Sequence, residues 1–371
     1  MDSGQEPLLS VRDLQICYNT PAGTVRAVNG VNLEINRGEV LGIVGETGCG
    51  KSTLAHSIPR LLPDPPAKVT AGSIVFDGTD LLSLPRNKVQ FFRGTGIAMI
   101  FQEPINSLNP SYRILDQVVE AIKVRKTREA GIETEVRVEP HDYRDPKPQI
   151  PHPLREATGT ARRNRFGDVD FNRKDLRDEV ISFLSMVRIN DPEQILRLYP
   201  HELSGGMRQR IMIAIALSER PKLMIADEPT SALDVTIQAQ VLSLMKDLIQ
   251  EIRTSILFIS HDLGVVAEIA DRIGVMYAGS LVEVGTADEV FNNPQHPYTQ
   301  SLLKSFPHGY KSEGKLPTLS GAVPNLMKLP SGCPFRTRCD RVMDVCSTAM
   351  PPHSDTGGGH LAACYFYVDG A

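Results

Sequence analysis

The chain has no apolar run long enough to cross a bilayer. Its most apolar helical stretch, Ile211 to Ser218 (IMIAIALS), falls far short of the roughly 20 residues that a spanning helix needs. The opening residues, MDSGQEPLLS, are polar and acidic and lack the apolar core of a secretory signal. These absences predict a soluble, intracellular protein that meets a membrane only through a partner. Charge of one sign is missing too. Forty Lys and Arg stand against 44 Asp and Glu, a formal net charge of −4, which argues against a general nucleic-acid binder. None of the six cysteines forms a C-x-x-C pair, so the zinc-ribbon spacing is absent. No repeat period is visible, which excludes a solenoid.

What is present is ample. With 371 residues, 41% of them hydrophobic, the chain can build more than one domain with a real core. Apolar runs of strand character recur at Leu41–Glu46 (LGIVGE), Ile97–Gln102 (IAMIFQ), Leu223–Glu228 (LMIADE) and Ser255–Asp262 (SILFISHD), with helical patterns between several of them. Such alternation predicts an α/β fold with a mainly parallel sheet covered on both faces. VRDLQICY and SIVFDGTDLL look antiparallel, with turn signals nearby. From Lys123 to Asp178 the periodicity fails and prolines and charges accumulate, predicting a long polar insertion within a helical subdomain of about residues 105–205. Helical pattern resumes at Lys174. From about Lys311 the chain is rich in Pro, Gly and Cys, predicting a small appended extension over 311–371 behind a main domain over 7–310.

The motifs carry the chemistry. Residues 45–52 read G-E-T-G-C-G-K-S between an apolar strand and the helical TLAHSI, the pattern of a phosphate-binding loop. Its glycines let successive backbone N–H groups line one concavity at a helix start. Lys51 is placed to reach the β- and γ-phosphates, and Ser52 to ligate Mg²⁺. LMIADE puts Asp227 and Glu228 at the carboxyl end of a buried strand, where open α/β sheets bind ligands. There Asp227 would hold Mg²⁺ and Glu228 would orient and deprotonate a water.

LSGGMRQR (Leu203 to Arg210) resembles the signature motif of ABC ATPases, and the other elements of that family stand around it in order. Gln102 matches the Q-loop glutamine, Ser231-Ala232-Leu233-Asp234 the D-loop, His261 the switch histidine, and Tyr18 the aromatic that stacks on adenine. The resemblance covers about residues 8–305. It implies a P-loop NTPase (RecA-like) core with antiparallel β and helical subdomains. By it, Gly45, Glu46, Thr47, Gly48, Cys49, Gly50, Lys51, Ser52 and Thr53 hold ATP with Tyr18. Ser52, Gln102 and Asp227 surround Mg²⁺, and Glu228, His261 and Gln102 serve hydrolysis. Ser204, Gly205 and Gly206 would bind the nucleotide of a partner subunit in a head-to-tail sandwich dimer.

Further phrases narrow the resemblance. HPYT (His296 to Thr299), GCPFRTRC (Gly332 to Cys339), FQEPINSLNP and YPHELSGGMRQR are similar to the oligopeptide/dipeptide/nickel importer ATPases. That likeness implies import of a peptide or a related solute. It also implies a second ATPase subunit, two transmembrane permease subunits, an extracytoplasmic substrate-binding protein, and a peripheral place on the cytoplasmic face of the membrane, without nucleic acid. The insertion is longer than that family usually carries. Two alternatives stand beside this reading: an ABC ATPase not coupled to transport, and a metal-binding regulatory nucleotide module.

Cys333, Cys339, Cys346 and Cys364 crowd the tail. Four thiolates can hold a [4Fe–4S] cluster, whose spacings vary more than those of zinc sites. A small tail with little apolar content would gain from such a staple. Zinc and no metal at all are the competing readings. Because the tail lies far in sequence from Lys51, Glu228 and His261, its expected role is structural. Cys17 and Cys49 are expected to stand apart from that site.

Overall fold

The computed structural model describes residues 6–102, 107–131, 171–231, 233–252, 254–305 and 321–368. Two sheets organise it. The first is antiparallel, with β2 (Gly23–Ile35), β1 (Leu9–Thr20), β4 (Ala67–Phe76) and β5 (Thr79–Asp80) side by side in that order. It contains both segments expected to be antiparallel. The second sheet has eight strands. β9 (Arg272–Tyr277), β3 (Val40–Val44), β8 (Ser255–Ile259), β7 (Leu223–Asp227) and β6 (Ile97–Ile100) run parallel in that order. Beyond β9 the sheet continues antiparallel through β10 (Ser280–Thr286), β12 (Leu361–Ala362) and β11 (Ser354–Asp355).

The period of two along each parallel strand divides its side chains between two cores. Leu41, Ile43, Leu223, Ile225, Leu257 and Ile259 face the antiparallel sheet and the helix Lys51–Ser57. Val40, Val44, Met224, Ala226, Ile256 and Phe258 face the helical side. With both faces covered, the strands need apolar residues throughout, which is why they read as unbroken apolar runs.

The helical side is built from Ile114–Glu129, Arg173–Met186 and Gly205–Ser218. The last buries residues around most of its circumference, among them Ile211, Ile213, Ala214 and Leu217. Helix Ile114–Glu129 corrects the expected start of the insertion: Lys123 to Glu129 are helical, because Ile122, Arg125 and Thr127 are buried along it. The second flanking helix begins at Arg173, capped by the Asn172 side chain accepting from Lys174 N–H. Glu179 binds both Arg125 and Lys126, so the two helices are tied to each other near the insertion. The insertion itself, 132–170, lies outside the described residues, as do positions 103–106 of FQEPINSLNP, Ala232 and the segment 306–320.

The C-terminal residues do not stand apart. β12 pairs with β10, Glu283 opposite Ala362, and extends the main sheet. Phe335, 1% exposed, enters an aromatic group with Tyr277, Tyr298 and His296 at ring-centroid distances of 5.3, 5.5 and 5.8 Å. Glu283 is fully buried and accepts hydrogen bonds from the N–H groups of Gln295 and His296 at 2.7 and 2.9 Å. Its Oε1 also lies 2.8 Å from Nε2 of the buried His360. One carboxylate thus joins β10, the HPYT segment and the tail, and its polar atoms are satisfied inside the protein.

Phe335→Ala should therefore destabilise the protein by about 3–5 kcal/mol, seen as a lower denaturation midpoint. Phe366→Ala, at a residue 53% exposed, should change stability by about 1 kcal/mol or less. Equal midpoints for the two variants would contradict this packing.

Candidate nucleotide site

The loop 45–50 connects the carboxyl end of β3 to the helix Lys51–Ser57. Its path requires glycine. Gly45 and Gly50 have φ of 153° and 106°, and an added Cβ would come within 2.1 Å of the Met276 carbonyl oxygen and 2.2 Å of that of Ala27. The neighbouring strand and hairpin press on the loop from outside, so only a bare backbone fits. Lys51 is buried, and its Nζ donates to the carbonyls of Gly45 and Glu46 at 2.8 and 3.1 Å. Its ammonium therefore sits within the loop's own curve. Cys49 is also buried, its Sγ 3.8 Å from Lys51 Nζ, and burial pushes its thiol above the usual range despite that charge.

Across the sheet, Ser52 Oγ donates to Asp227 Oδ1 at 3.0 Å. His56 Nε2 lies 3.6 Å from the other carboxylate oxygen. Burial raises the Asp227 pKa, opposed by Ser52, His56 and Lys51 and assisted by Glu228. Burial lowers that of His56, opposed by Asp227. A hydroxyl and a carboxylate oxygen held this close, beside a buried ammonium, form a donor set suited to Mg²⁺ carrying phosphate oxygens.

Glu228 follows β7 in the left-handed region, φ 46°, with its N–H donating to the Ile259 carbonyl at 2.9 Å. This conformation is costly for glutamate and persists only where its surroundings fix it. Gln102 Nε2 donates to Glu228 Oε2 at 2.9 Å, and His261 Nδ1 lies 3.3 Å from the same oxygen. Three residues widely separated in sequence meet at one carboxylate oxygen, because β6, β7 and β8 end side by side. Tyr18 Oη is 3.4 Å from Thr53 Oγ1, which sets that ring over the helix after the loop. Ser231 N–H donates to the Glu228 carbonyl at 3.2 Å, and Asp234 caps the next helix by accepting from Ile237 N–H at 3.0 Å.

Ser204 caps the helix Gly205–Ser218 by accepting from Met207 N–H at 3.3 Å. Gly206 packs on Ile237, where a Cβ would meet Cγ2 at 2.7 Å, whereas the nearest atom to a Cβ on Gly205 would be Leu233 Cδ2 at 3.7 Å. Among the described residues no hydrogen bond or ion pair joins Ser204–Gly206 to the loop 45–53. The structure thus gathers Lys51, Ser52, Asp227, Glu228, Gln102, His261 and Tyr18 around one region, and leaves Ser204–Gly206 on a surface of their own.

Sequence reasoning missed three residues here. His56 is an unremarkable helix residue until the fold brings Asp227 to it. Tyr298 and Arg338 lie in the HPYT and GCPFRTRC phrases, yet both grip Glu46 of the loop. The Glu46 N–H donates to Tyr298 Oη at 3.0 Å, and Arg338 pairs with its carboxylate through both terminal nitrogens. The tail expected to serve structure alone is in contact with the phosphate loop.

All four tail cysteines line a single small pocket with Phe335, Met343 and Tyr365, and none is in a disulfide. The Cys333 N–H donates to the Cys346 carbonyl at 2.9 Å. Burial raises the thiols of Cys333, to about 11, and of Cys339 and Cys364, with their neighbours in the pocket adding to the shift. Among the described residues no three His, Cys, Asp or Glu side chains are grouped to hold a metal ion.

Comparison with known proteins identifies the family. The family described as ABC transporter matches residues 28–231, and that described as the C-terminal region of oligopeptide/dipeptide transporters matches residues 282–346. The dipeptide transport ATP-binding protein DppD of Bacillus subtilis is 41% identical over 360 residues, 97% of this chain and 95% of the relative. The oligopeptide transport ATP-binding protein OppD of Salmonella typhimurium is 40% identical over 362 residues, 98% and 94% of the two chains. The ATP-binding cassette MJ0796, solved as a dimer bound to ADP and Pi, superposes with a TM-score of 0.58 at 22% identity, covering 75% of this chain and 98% of that one. This chain belongs to the ABC transporter family of ATP-binding subunits and carries the C-terminal region of its oligopeptide/dipeptide branch.

Proposed function

We propose that the chain hydrolyses ATP to power an importer of peptides, or of a related small solute such as nickel, as one half of a nucleotide-sandwich dimer. The observation that carries this is the meeting of Gln102 and His261 on Glu228, beside a loop that already holds Lys51 and the Ser52–Asp227 pair. Lys51 exchanges its loop carbonyls for the β- and γ-phosphates, and Tyr18 stacks on the adenine. Ser52 and Asp227, with Gln102, would hold Mg²⁺, which when bound would neutralise phosphate charge. Glu228 orients the attacking water and takes its proton, and His261 and Gln102 fix that carboxylate.

The dimer reading rests on Ser204–Gly206. Ser204 caps the start of its helix, and among the described residues no hydrogen bond joins that start to the loop 45–53 of the same chain. A partner's nucleotide approaching it would meet the backbone N–H groups of the helix start. The partners are a second ATPase subunit, two permease subunits and an extracytoplasmic substrate-binding protein, with this chain peripheral on the cytoplasmic face. Among the described residues no helix is long and apolar enough to cross a membrane. Residues 7–310 form the cassette and 311–371 the extension whose strands join its sheet. An ABC ATPase uncoupled from transport is less favoured, because the relatives named above are transport subunits along nearly their whole length. Co-purification separates the two readings: permease subunits support import, and ribosomes or DNA would overturn it.

The tail pocket is read as a [4Fe–4S] site. A cubane cluster has its thiolates spread around a body of several atoms, whereas a single ion gathers them at a point. What supports the reading is that all four cysteines line one pocket and none is in a disulfide.

Glu228→Gln keeps the shape of the side chain and removes its basicity. Steady-state ATPase should fall by about 100-fold or more while ATP still binds, and near-normal turnover would end the assignment. Lys51→Ala should instead weaken nucleotide binding itself.

In a complex carrying one variant subunit, Gly205→Asp should disable the site whose phosphate loop belongs to the partner. Loss confined to the site built on Lys51 would refute the head-to-tail arrangement.

Protein purified without oxygen should be brown, absorb broadly near ~400 nm and carry about four iron atoms per chain. Cys346→Ser should lose that iron. One zinc per chain would identify a different metal, and metal-free protein with four freely alkylated thiols would refute the site.

A further inference from the structure

Glu46 is the second residue of the phosphate loop, and it is held from outside the loop at two points. Tyr298 Oη accepts its N–H at 3.0 Å. Arg338 binds its carboxylate in fork geometry, Nη1 to Oε2 at 2.7 Å and Nη2 to Oε1 at 3.1 Å. The Arg338 side chain is 3% exposed and that of Glu46 27%, so the pair is largely withdrawn from water, where a charge-assisted fork is strong and specific. The guanidinium also donates to Tyr277 Oη at 3.4 Å and lies 5.8 Å from the centre of that ring. Tyr277 ends β9, the parallel neighbour of β3 from which the loop departs.

The contact reaches the reacting end in one step. The Glu46 carbonyl is one of the two that hold Lys51 Nζ. Fixing Glu46 therefore fixes half of the seat from which Lys51 meets phosphate. We propose that Arg338 is a positioning residue for ATP binding, acting through Glu46 on the phosphate loop. By this route the cysteine-flanked turn 333–339 sets the affinity of the nucleotide site. Arg338 stands next to Cys339, and its N–H donates to the Phe335 carbonyl at 2.9 Å, so the turn that carries the guanidinium is the one that lines the thiol pocket. The second half of the inference rests on the pocket holding a metal cluster; the first half does not.

The test uses the full chain, with ATP titrated both by equilibrium binding and by steady-state hydrolysis. Arg338→Gln and Glu46→Gln should each raise the ATP Kd and KM about tenfold, with kcat at saturating ATP nearly kept for Arg338→Gln. Arg338→Lys should restore part of the affinity, and the double variant should be no worse than either single one, as expected for a direct pair. Iron content measured on the same preparations should be unchanged in Arg338→Gln, which separates this result from failure of the metal reading. A lower melting midpoint with unchanged ATP affinity would show that Arg338 only docks the tail, and fully additive losses would show that the two residues act apart. Stripping iron by chelation should weaken ATP binding in the unsubstituted protein and not in Arg338→Gln. Equal weakening in both would exclude the pair as the route from pocket to loop.

Discussion

The five parallel strands are buried on both faces, and this confines the polar chemistry to one rim of the sheet. Nothing polar fits along Val40–Val44 or Leu223–Ala226, whose side chains alternate between two apolar cores. Only where a strand ends can a carboxylate, an amide or a glycine loop occur without an unpaid desolvation cost. β3 releases the loop, β7 releases Asp227 and Glu228, β6 leads into Gln102, and β8 leads into His261. The order β3, β8, β7, β6 in the sheet then decides who meets whom. Ser52 reaches Asp227 across the intervening β8, and Gln102 and His261 approach Glu228 from either side.

The same constraint explains why the left-handed Glu228 is tolerated. Its N–H is anchored on the carbonyl of Ile259 in the adjacent strand, and its carbonyl accepts from Ser231. Both backbone groups are thus fixed before the side chain makes any contact. The strain is borne by the sheet end, and the carboxylate is delivered to Gln102 and His261.

Much of this site could be read from the sequence because its parts are local. The loop Gly45–Ser52, the acidic pair after LMIA and the Ser204–Gly206 motif each lie within a few consecutive residues, where a local pattern is enough to single them out. What could not be read depends on long-range packing. Glu46 and Arg338 are 292 positions apart, and no periodicity links them. His56 gains a role only when β7 brings Asp227 to it. The four cysteines were visible as a crowd, but their convergence on one pocket needs the turn around Phe335. The tail's composition suggested a separate body, yet the few residues Leu361–Ala362 are enough to join it to β10, because a sheet edge accepts any strand with free backbone groups. The helix through Glu129 was underestimated because charged residues mask its burial: Arg125 is inside, bound to Glu179.

A glutamate in a phosphate loop also needs an electrostatic explanation. Its carboxylate opposes the anion that the loop exists to bind, and the repulsion grows as the site loses water. Arg338 offsets that conflict by pairing with Glu46 where it stands, which in the proposed ATP site leaves Lys51 to meet phosphate. A lysine could supply the charge but not the shape. The guanidinium divides its donors between two carboxylate oxygens and the Tyr277 hydroxyl while lying near the Tyr277 ring, and a single ammonium on a flexible stem cannot hold all of these directions together. The acid in the loop and the arginine in the tail are therefore one device. Glu46 gives the tail a handle on the phosphate loop, and Arg338 makes that handle compatible with binding an anion.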